Sequence, residues 1–248
     1  MKDLIYKYII EIATTDFTTT KSAVEGGADR IELCAALNEG GTTPSFGTIK
    51  KCREAFNVQL FPIIRPRGGD FLYNEDEFDI MMADVQLCKQ LGCDGVVIGL
   101  LKNDGSIDIK RTAQLIKAAY PLEATFHRAF DRCSDPLKAM EELIEIGCQR
   151  ILTSGQQPAA SQGIDLIKQL INAANNRIII MPGSGVRKEN IKELAEKTGA
   201  TEFHSSLRSK KSSKMDFVHP KFASSDESYA NPAIDKDEVK ALRQAINS

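Results

Sequence analysis

The chain has 248 residues, 42% of them hydrophobic, with 32 basic and 34 acidic side chains and a net charge of −2. That length accommodates one large α/β domain or two small ones, and the near-even charge balance gives no electrostatic reason to bind nucleic acid or an acidic membrane surface. Six cysteines without paired spacing, most of them inside apolar segments, predict reduced thiols and a cytoplasmic protein, not a disulfide framework.

The first fifteen residues hold an apolar run broken by Lys7 and Glu11. The run is too short and too charged for a signal peptide or a membrane span, and it predicts a first strand over 8–12. Further β-branched runs follow at 30–34, 59–65, 95–100, 124–128, 150–154, 177–181 and 202–205. Between them lie amphipathic stretches near 15–24, 45–56, 75–91, 108–119, 135–146, 161–174, 187–198 and 235–246. Eight strands, each followed by a helix, predict a parallel sheet. An internal repeat sharpens the count: Gly27-Ala28-Asp29-Arg30-Ile31, Gly92-Cys93-Asp94-Gly95-Val96, Gly147-Cys148-Gln149-Arg150-Ile151 and Gly199-Ala200-Thr201-Glu202-Phe203 share one grammar. Each is a helix-ending glycine, a small residue, a polar one, and then a strand. They open strands 2, 4, 6 and 8, so the pattern predicts a closed (β/α)8 TIM barrel in one domain over 1–248. The stretch 206–232, rich in Ser, Lys and Asp, reads as a long irregular loop between strand 8 and the last helix, arching over the barrel mouth.

Barrels of this kind gather their chemistry at the carboxyl ends of the strands. Read in order, those ends supply Glu11; Glu32 and Cys34; Arg65, Arg67 and Asp70; Gly99; Thr125, His127, Arg128 and Asp131; Thr153 and Ser154; Gly183, Ser184 and Gly185; and His204 and Ser205. The third of these ends stands out, because the buried run Pro62-Ile63-Ile64 breaks off into Arg65-Pro66-Arg67-Gly68-Gly69-Asp70. The prolines exclude helix there, and the glycines allow close approach of a ligand. Strand alternation puts Glu32 with Cys34, and Thr125 with His127, on common faces. Gly183-Ser184-Gly185 leads into a helix, where exposed backbone N–H groups and the helix dipole favour an anion. No strand core contains a lysine, which argues against an imine-forming aldolase. Among the thiols, only Cys34 and Cys133 fall at the mouth end.

Several of these blocks resemble the copper homeostasis protein CutC family: Gly27–Cys34, Glu39-Gly40-Gly41-Thr42-Thr43-Pro44-Ser45, Ile64–Phe71, Thr125-Phe126-His127-Arg128-Ala129-Phe130-Asp131 and Ile151-Leu152-Thr153-Ser154-Gly155. The resemblance continues in order through Glu202-Phe203-His204-Ser205. It implies a TIM barrel, a cytoplasmic location, a homo-oligomer and a role in copper homeostasis. It also implies a thiol pair as the copper site. Cys34 matches one member, and the other falls on Ala13.

Three readings stand. In the first, the chain binds Cu(I) at the mouth through Cys34 with Cys133 or a histidine. In the second, it is an enzyme on a small phosphorylated or carboxylated substrate. Glu11, Glu32 and His127 then carry acid–base catalysis, while Arg65, Arg67, Asp70, Arg128, Thr153, Ser154, Gly183, Ser184, Gly185, His204 and Ser205 hold the substrate. In the third, the barrel is a non-catalytic scaffold.

Overall fold

The computed structural model describes residues 8–221 and 229–248. The chain forms a (β/α)8 barrel in which strand and helix alternate: β1 (Ile9–Thr14), α1 (Phe17–Glu25), β2 (Arg30–Leu33), α2 (Phe46–Ala55), β3 (Gln59–Pro62), α3 (Glu75–Gln90), β4 (Gly95–Ile98) and α4 (Ile109–Ala119). The second half continues with β5 (Glu123–Phe126), α5 (Pro136–Glu145), β6 (Arg150–Thr153), α6 (Ile164–Ala174), β7 (Ile179–Pro182), α7 (Ile191–Thr198) and β8 (Glu202–Ser205). Short polar residues start the helices where the strands have just ended. Asp16, Ser45, Asn74, Asp108 and Asp135 each accept the amide of the residue three positions on, satisfying an otherwise orphaned donor of the first turn.

Two parallel ladders, β3-β2-β1-β8 and β4-β5-β6-β7, make up the wall. They join between β3 and β4, where Ile63 bridges Val97 and the Ile64 amide donates to the Val97 carbonyl at 2.8 Å. On the other side β7 lies against β8. The run predicted as a strand to Arg65 ends as a regular strand at Pro62: beyond it the Ile63 amide still donates to Leu33 at 3.0 Å and the Ile64 amide to Val97, but the Arg65 amide is taken by the Thr43 hydroxyl at 2.9 Å.

Alternation along each strand divides the core in two. Outward residues such as Ile10, Ile12, Ile31, Leu33, Val96 and Ile98 pack under the helices in an aliphatic shell. The inward residues are mostly polar, and the register arranges them in layers of four from alternate strands, as closed barrels of this type require. The floor layer is Arg30, Gly95, Arg150 and Glu202, the fourth residue of each repeat unit. Above it come Glu11, Phe61, Thr125 and Met181, and above those Glu32, Val97, Leu152 and His204.

The floor is an ion-pair network. Arg30 bonds Glu11 and Glu202, each at 2.5 Å; Arg150 bonds Glu202 at 2.6 Å and Glu123 at 3.2 Å. Both guanidinium groups also lie over the Phe61 ring, at 5.2 and 5.6 Å. Gly95 makes room for that ring, since a Cβ there would stand 2.2 Å from Phe61 Cε1.

After β8 the chain departs from the predicted irregular loop. β9 (Arg208–Ser212) and β10 (Ala230–Ile234) pair antiparallel, and β10 packs beside α1 before α8 (Lys236–Asn247) closes the fold. Ser206 and Arg208 are the described residues of that stretch that face the mouth. Its residues 222–228, and residues 1–7 ahead of the predicted first strand, lie outside the described residues. Among the described residues, no helix is long and apolar enough to cross a membrane.

Candidate functional site

The carboxyl ends of the strands surround a cavity of about 840 Å3. Its bottom is made by the upper inward residues Ala13, Glu32, Ile63, His127, Leu152 and His204. Glu32, His127 and His204 therefore meet in one cavity, as their strand-end positions predict. Glu11 does not reach it. It is fully buried one layer below and touches the site only through His204, whose Nδ1 lies 2.7 Å from Glu11 Oε1.

That contact fixes a line of charge. His204 Nε2 points to Glu32 Oε2 at 3.7 Å, so one imidazole stands between two carboxylates. Burial works to raise the Glu11 pKa, but Arg30 first and then His204 outweigh it and hold the carboxylate at about 2. For Glu32 burial prevails and raises the pKa, with His204 opposing. Burial works against a charged His204, yet the Glu32 and Glu11 carboxylates lift its pKa above the usual range. Glu11 is thus a permanent anion that orients His204, and the Glu32–His204 pair is where a proton moves most easily.

His127 is held differently. The Ala129 amide donates to its Nδ1 at 3.0 Å, and Gly99 leaves the ring its space. Its Nε2 is buried without a hydrogen-bond partner, which costs about 1–3 kcal/mol for a polar group shut away from water. Burial, with the positive charge of Arg65 second, pushes its pKa down to about 3.

The predicted anion-binding residues divide. Arg65 is buried and occupied by carbonyls: Nη1 donates to Glu39 at 3.0 Å and Gly41 at 2.7 Å, and Nη2 to Gly69 at 2.8 Å. It pins the loop after β3 and contributes charge more than free donors. Arg67 does not line the cavity, because Glu77, Asp70 at 3.0 Å and the Leu72 carbonyl hold it outside. Asp70 lines the rim but brings a negative charge, already paired with Arg67. Thr153 and Ser154 are tied to the Asp131 carboxylate, by their hydroxyls at 2.5 and 3.0 Å, and Arg128 joins them through Ser154 and Asp131 at 2.8 and 2.7 Å. Of this cluster Arg128 alone faces the cavity.

The loop after β7 behaves as the sequence predicts in part. Ser184 and Gly185 line the cavity, both with positive φ (74° and 73°), and among the described residues no hydrogen bond uses their amides. Gly183 lies against Leu152 instead, where a Cβ would stand 2.4 Å from Cδ1. Ser205 turns away to donate to the Val186 carbonyl at 2.7 Å.

The mouth is completed by Arg208, which the sequence sets near the glycine loop as a further anion-binding cation, and by three cations that the sequence reading does not place there. Lys102, Arg132, Arg187 and Arg208 line the cavity, and among the described residues none of them is paired with a carboxylate. Arg187 follows the glycine loop by two residues, a position that could have been read from the sequence. Lys102 and Arg132 sit on loops whose course the sequence does not state.

The two thiols are not brought together. Cys34 is buried against Glu32, its Sγ donating to Oε2 at 3.5 Å, while Cys133 meets Gln156 Nε2 at 3.7 Å. Neither lines the cavity. Burial and then the Glu32 carboxylate raise the Cys34 pKa far above its ordinary value, and burial with Asp131 puts Cys133 at about 12. Soft Cu(I) is best served by a pair of sulfurs, and these two are held apart, each against a different partner. Among the described residues there is no group of three or more His, Cys, Asp or Glu arranged to hold a metal. Cys34 and Cys133 therefore do not form the thiol pair expected of a copper site.

Comparison with known proteins places this geometry in a family. Residues 8–209 match the CutC family. A CutC family protein of Parabacteroides distasonis is 53% identical over 212 residues, covering 85% of this chain and 87% of that protein. The human copper homeostasis protein cutC homolog is 46% identical over 210 residues, covering 85% of this chain and 77% of its own. The crystal structure of a CutC protein from Streptococcus agalactiae superposes with a TM-score of 0.77 at 36% identity, over 80% of this chain and 98% of that one. A thiamine phosphate pyrophosphorylase from Pyrococcus furiosus, at 15% identity and a TM-score of 0.58 over 97% of this chain and 96% of its own, shares the fold alone.

Proposed function

Since the chain belongs to the CutC family, which carries copper homeostasis in its relatives' names, we propose from the residues of its own mouth that it is an enzyme acting on a small anionic compound by proton transfer. One observation carries this reading: cations without a carboxylate partner among the described residues ring a cavity whose bottom holds the Glu32–His204 pair. A cavity with converging polar groups and perturbed titrating residues is the usual seat of catalysis.

The chemistry follows from two protonation states of one pair. With the proton on His204, Nε2–H faces a Glu32 carboxylate, and Glu32 is ready to accept a proton from substrate. With the proton on Glu32, its carboxylic acid is ready to donate. Glu11 stays ionised throughout and keeps Nδ1–H directed at itself, so it acts as a positioning residue. Arg187, Arg208 and the free amides of Ser184 and Gly185 supply donors for a phosphate or carboxylate group. Mass spectrometry of small molecules retained by the purified protein tests the reading directly. A phosphorylated or carboxylated metabolite released on denaturation supports it, and a protein that retains nothing and shows no response to phosphate at the mouth contradicts it.

The copper reading rests on the relatives' name. Copper would here be cargo, and the Cys34 thiol with Ala13 beside it gives that cargo one sulfur where a pair is wanted.

A further inference from the structure

We propose that His127 is a fixed, neutral N–H donor to a carbonyl oxygen of the substrate, and that the compound taken at the mouth is a small anionic carbonyl compound which loses a proton from the carbon next to that carbonyl. This rests on the anion-binding reading of the cavity and narrows it.

A backbone amide can only donate. The 3.0 Å bond from the Ala129 amide to Nδ1 therefore makes Nδ1 the acceptor and leaves the proton of a neutral ring on Nε2. That Nε2–H is buried, has no partner among the described residues, and belongs to a ring lining the cavity. A donor left unsatisfied in a built cavity is a place waiting for an acceptor on a ligand. Phe71 packs against the ring, its centroid 5.0 Å from that of His127, and the Arg65 guanidinium lies over the Phe71 ring at 5.0 Å. The positive charge of Arg65 and the burial both oppose protonation, so the ring serves as an electrophile and not as a base. This reverses the role that its strand-end position suggests.

The groups then divide the work. The anionic group of the substrate sits by Ser184, Gly185 and Arg187, and its carbonyl oxygen accepts from His127 Nε2–H. Glu32 takes the proton from the adjacent carbon. The C–H electron pair becomes the new C=C bond, and the carbonyl π pair moves to oxygen, where the His127 N–H bond strengthens as charge develops. His127 loses no proton, and Glu32 returns its own to complete the turnover.

The test pairs carbonyl probes with their reduced counterparts: pyruvate with lactate, and dihydroxyacetone phosphate with glycerol 3-phosphate, with inorganic phosphate as the anion control. In protein labelled with 15N at histidine, the free His127 ring should show the Nε2–H tautomer throughout the neutral range. A carbonyl probe should move that signal and bind about tenfold more tightly than its reduced partner. His127→Ala and Gly99→Ala, the latter placing a Cβ 2.3 Å from the ring Cε1, should abolish the preference while phosphate still shifts the Ser184 and Gly185 amides. His127→Gln, which keeps an N–H donor, should retain part of it. An Nδ1–H tautomer or an imidazolium at neutral pH would overturn the inference outright. If every probe shifts Ser184 and Gly185 but carbonyl and reduced forms bind alike, the inference fails and the anion reading survives. If none shifts them, phosphate included, both fail. A carbonyl probe that engages His127 but exchanges no neighbouring proton with D2O overturns the reaction class.

Discussion

His204 Nδ1 stands 2.7 Å from Glu11 Oε1, and Glu11 Oε2 stands 2.5 Å from Arg30 Nε. Through these two contacts the mouth of the barrel is continuous with the ion-pair network of its floor. A change in the floor charges is therefore felt at the Glu32–His204 pair, although no floor residue touches the cavity.

Glu11→Gln should be destabilising by about 3–5 kcal/mol, because it leaves Arg30 buried with one anionic partner fewer. The sign with pH is set by the depressed Glu11 pKa. Its contribution is present above the unfolded value near about 4.3 and is lost as pH falls toward the folded value of about 2. Urea unfolding of both proteins across that range should show the gap closing in acid. A gap that stays constant would mean that Glu11 is not held as an anion.

The two buried mouth histidines should titrate on opposite sides of the ordinary value. His204 is raised by its carboxylate neighbours, so its stabilisation is full below about 6.5 and fades as pH rises through its higher folded pKa. His127 is lowered to about 3 and should stay neutral wherever the protein is folded. Ring-carbon chemical shifts against pH measure both, and a His127 that titrates near neutrality would refute the assignment.

Gly95→Ala should cost about 1–3 kcal/mol through overpacking, because the added Cβ meets the Phe61 ring at 2.2 Å with Arg30 and Arg150 on it. Thermal unfolding measures this. Gly92→Ala is a poor control, since its φ is +71° and strain would enter; Gly47→Ala, with nothing within 4 Å, should be nearly neutral.

The architecture was legible because periodicity and capping residues are local. Asp16, Ser45 and Asn74 announce their helices, and the Gly-x-x repeat announces strands 2, 4, 6 and 8. The same repeat held an unread signal. Its fourth residues, Arg30, Gly95, Arg150 and Glu202, differ in chemistry because they meet each other at one level of the barrel, and their compensation of charge and volume appears only once the barrel closes. Glu32, His127 and His204 were readable as strand-end residues. The engagement of Arg65, which lines the cavity with its Nη groups already bound, and the exclusion of Arg67 from it were not, because they depend on carbonyls of Glu39, Gly41 and Gly69 and on Glu77 across the loop. The cysteines mislead for a related reason: strand-end position brings Cys34 near the mouth, while Glu32 and burial keep its sulfur protonated.

Ala13 lines the cavity on β1 and is paired in register with Glu32 on β2. Ala13→Cys should strengthen Cu(I) binding under reducing conditions by adding a second sulfur, as measured by competition with a Cu(I) chelator. Cys34→Ser should remove whatever binding the parent protein shows. Tight, stoichiometric Cu(I) binding that persists in Cys34→Ser would mean that copper, if it binds, uses other residues.

The central claim is that the mouth is built to hold a small anion beside the Glu32–His204 pair. Titration of the 15N-labelled protein with inorganic phosphate at low ionic strength tests it most directly. The account predicts saturable shifts of the Ser184 and Gly185 amides, weakened by added salt and reduced about tenfold in affinity by Arg187→Ala. Shifts confined to other residues, or no saturable shift at Ser184 and Gly185, would contradict it.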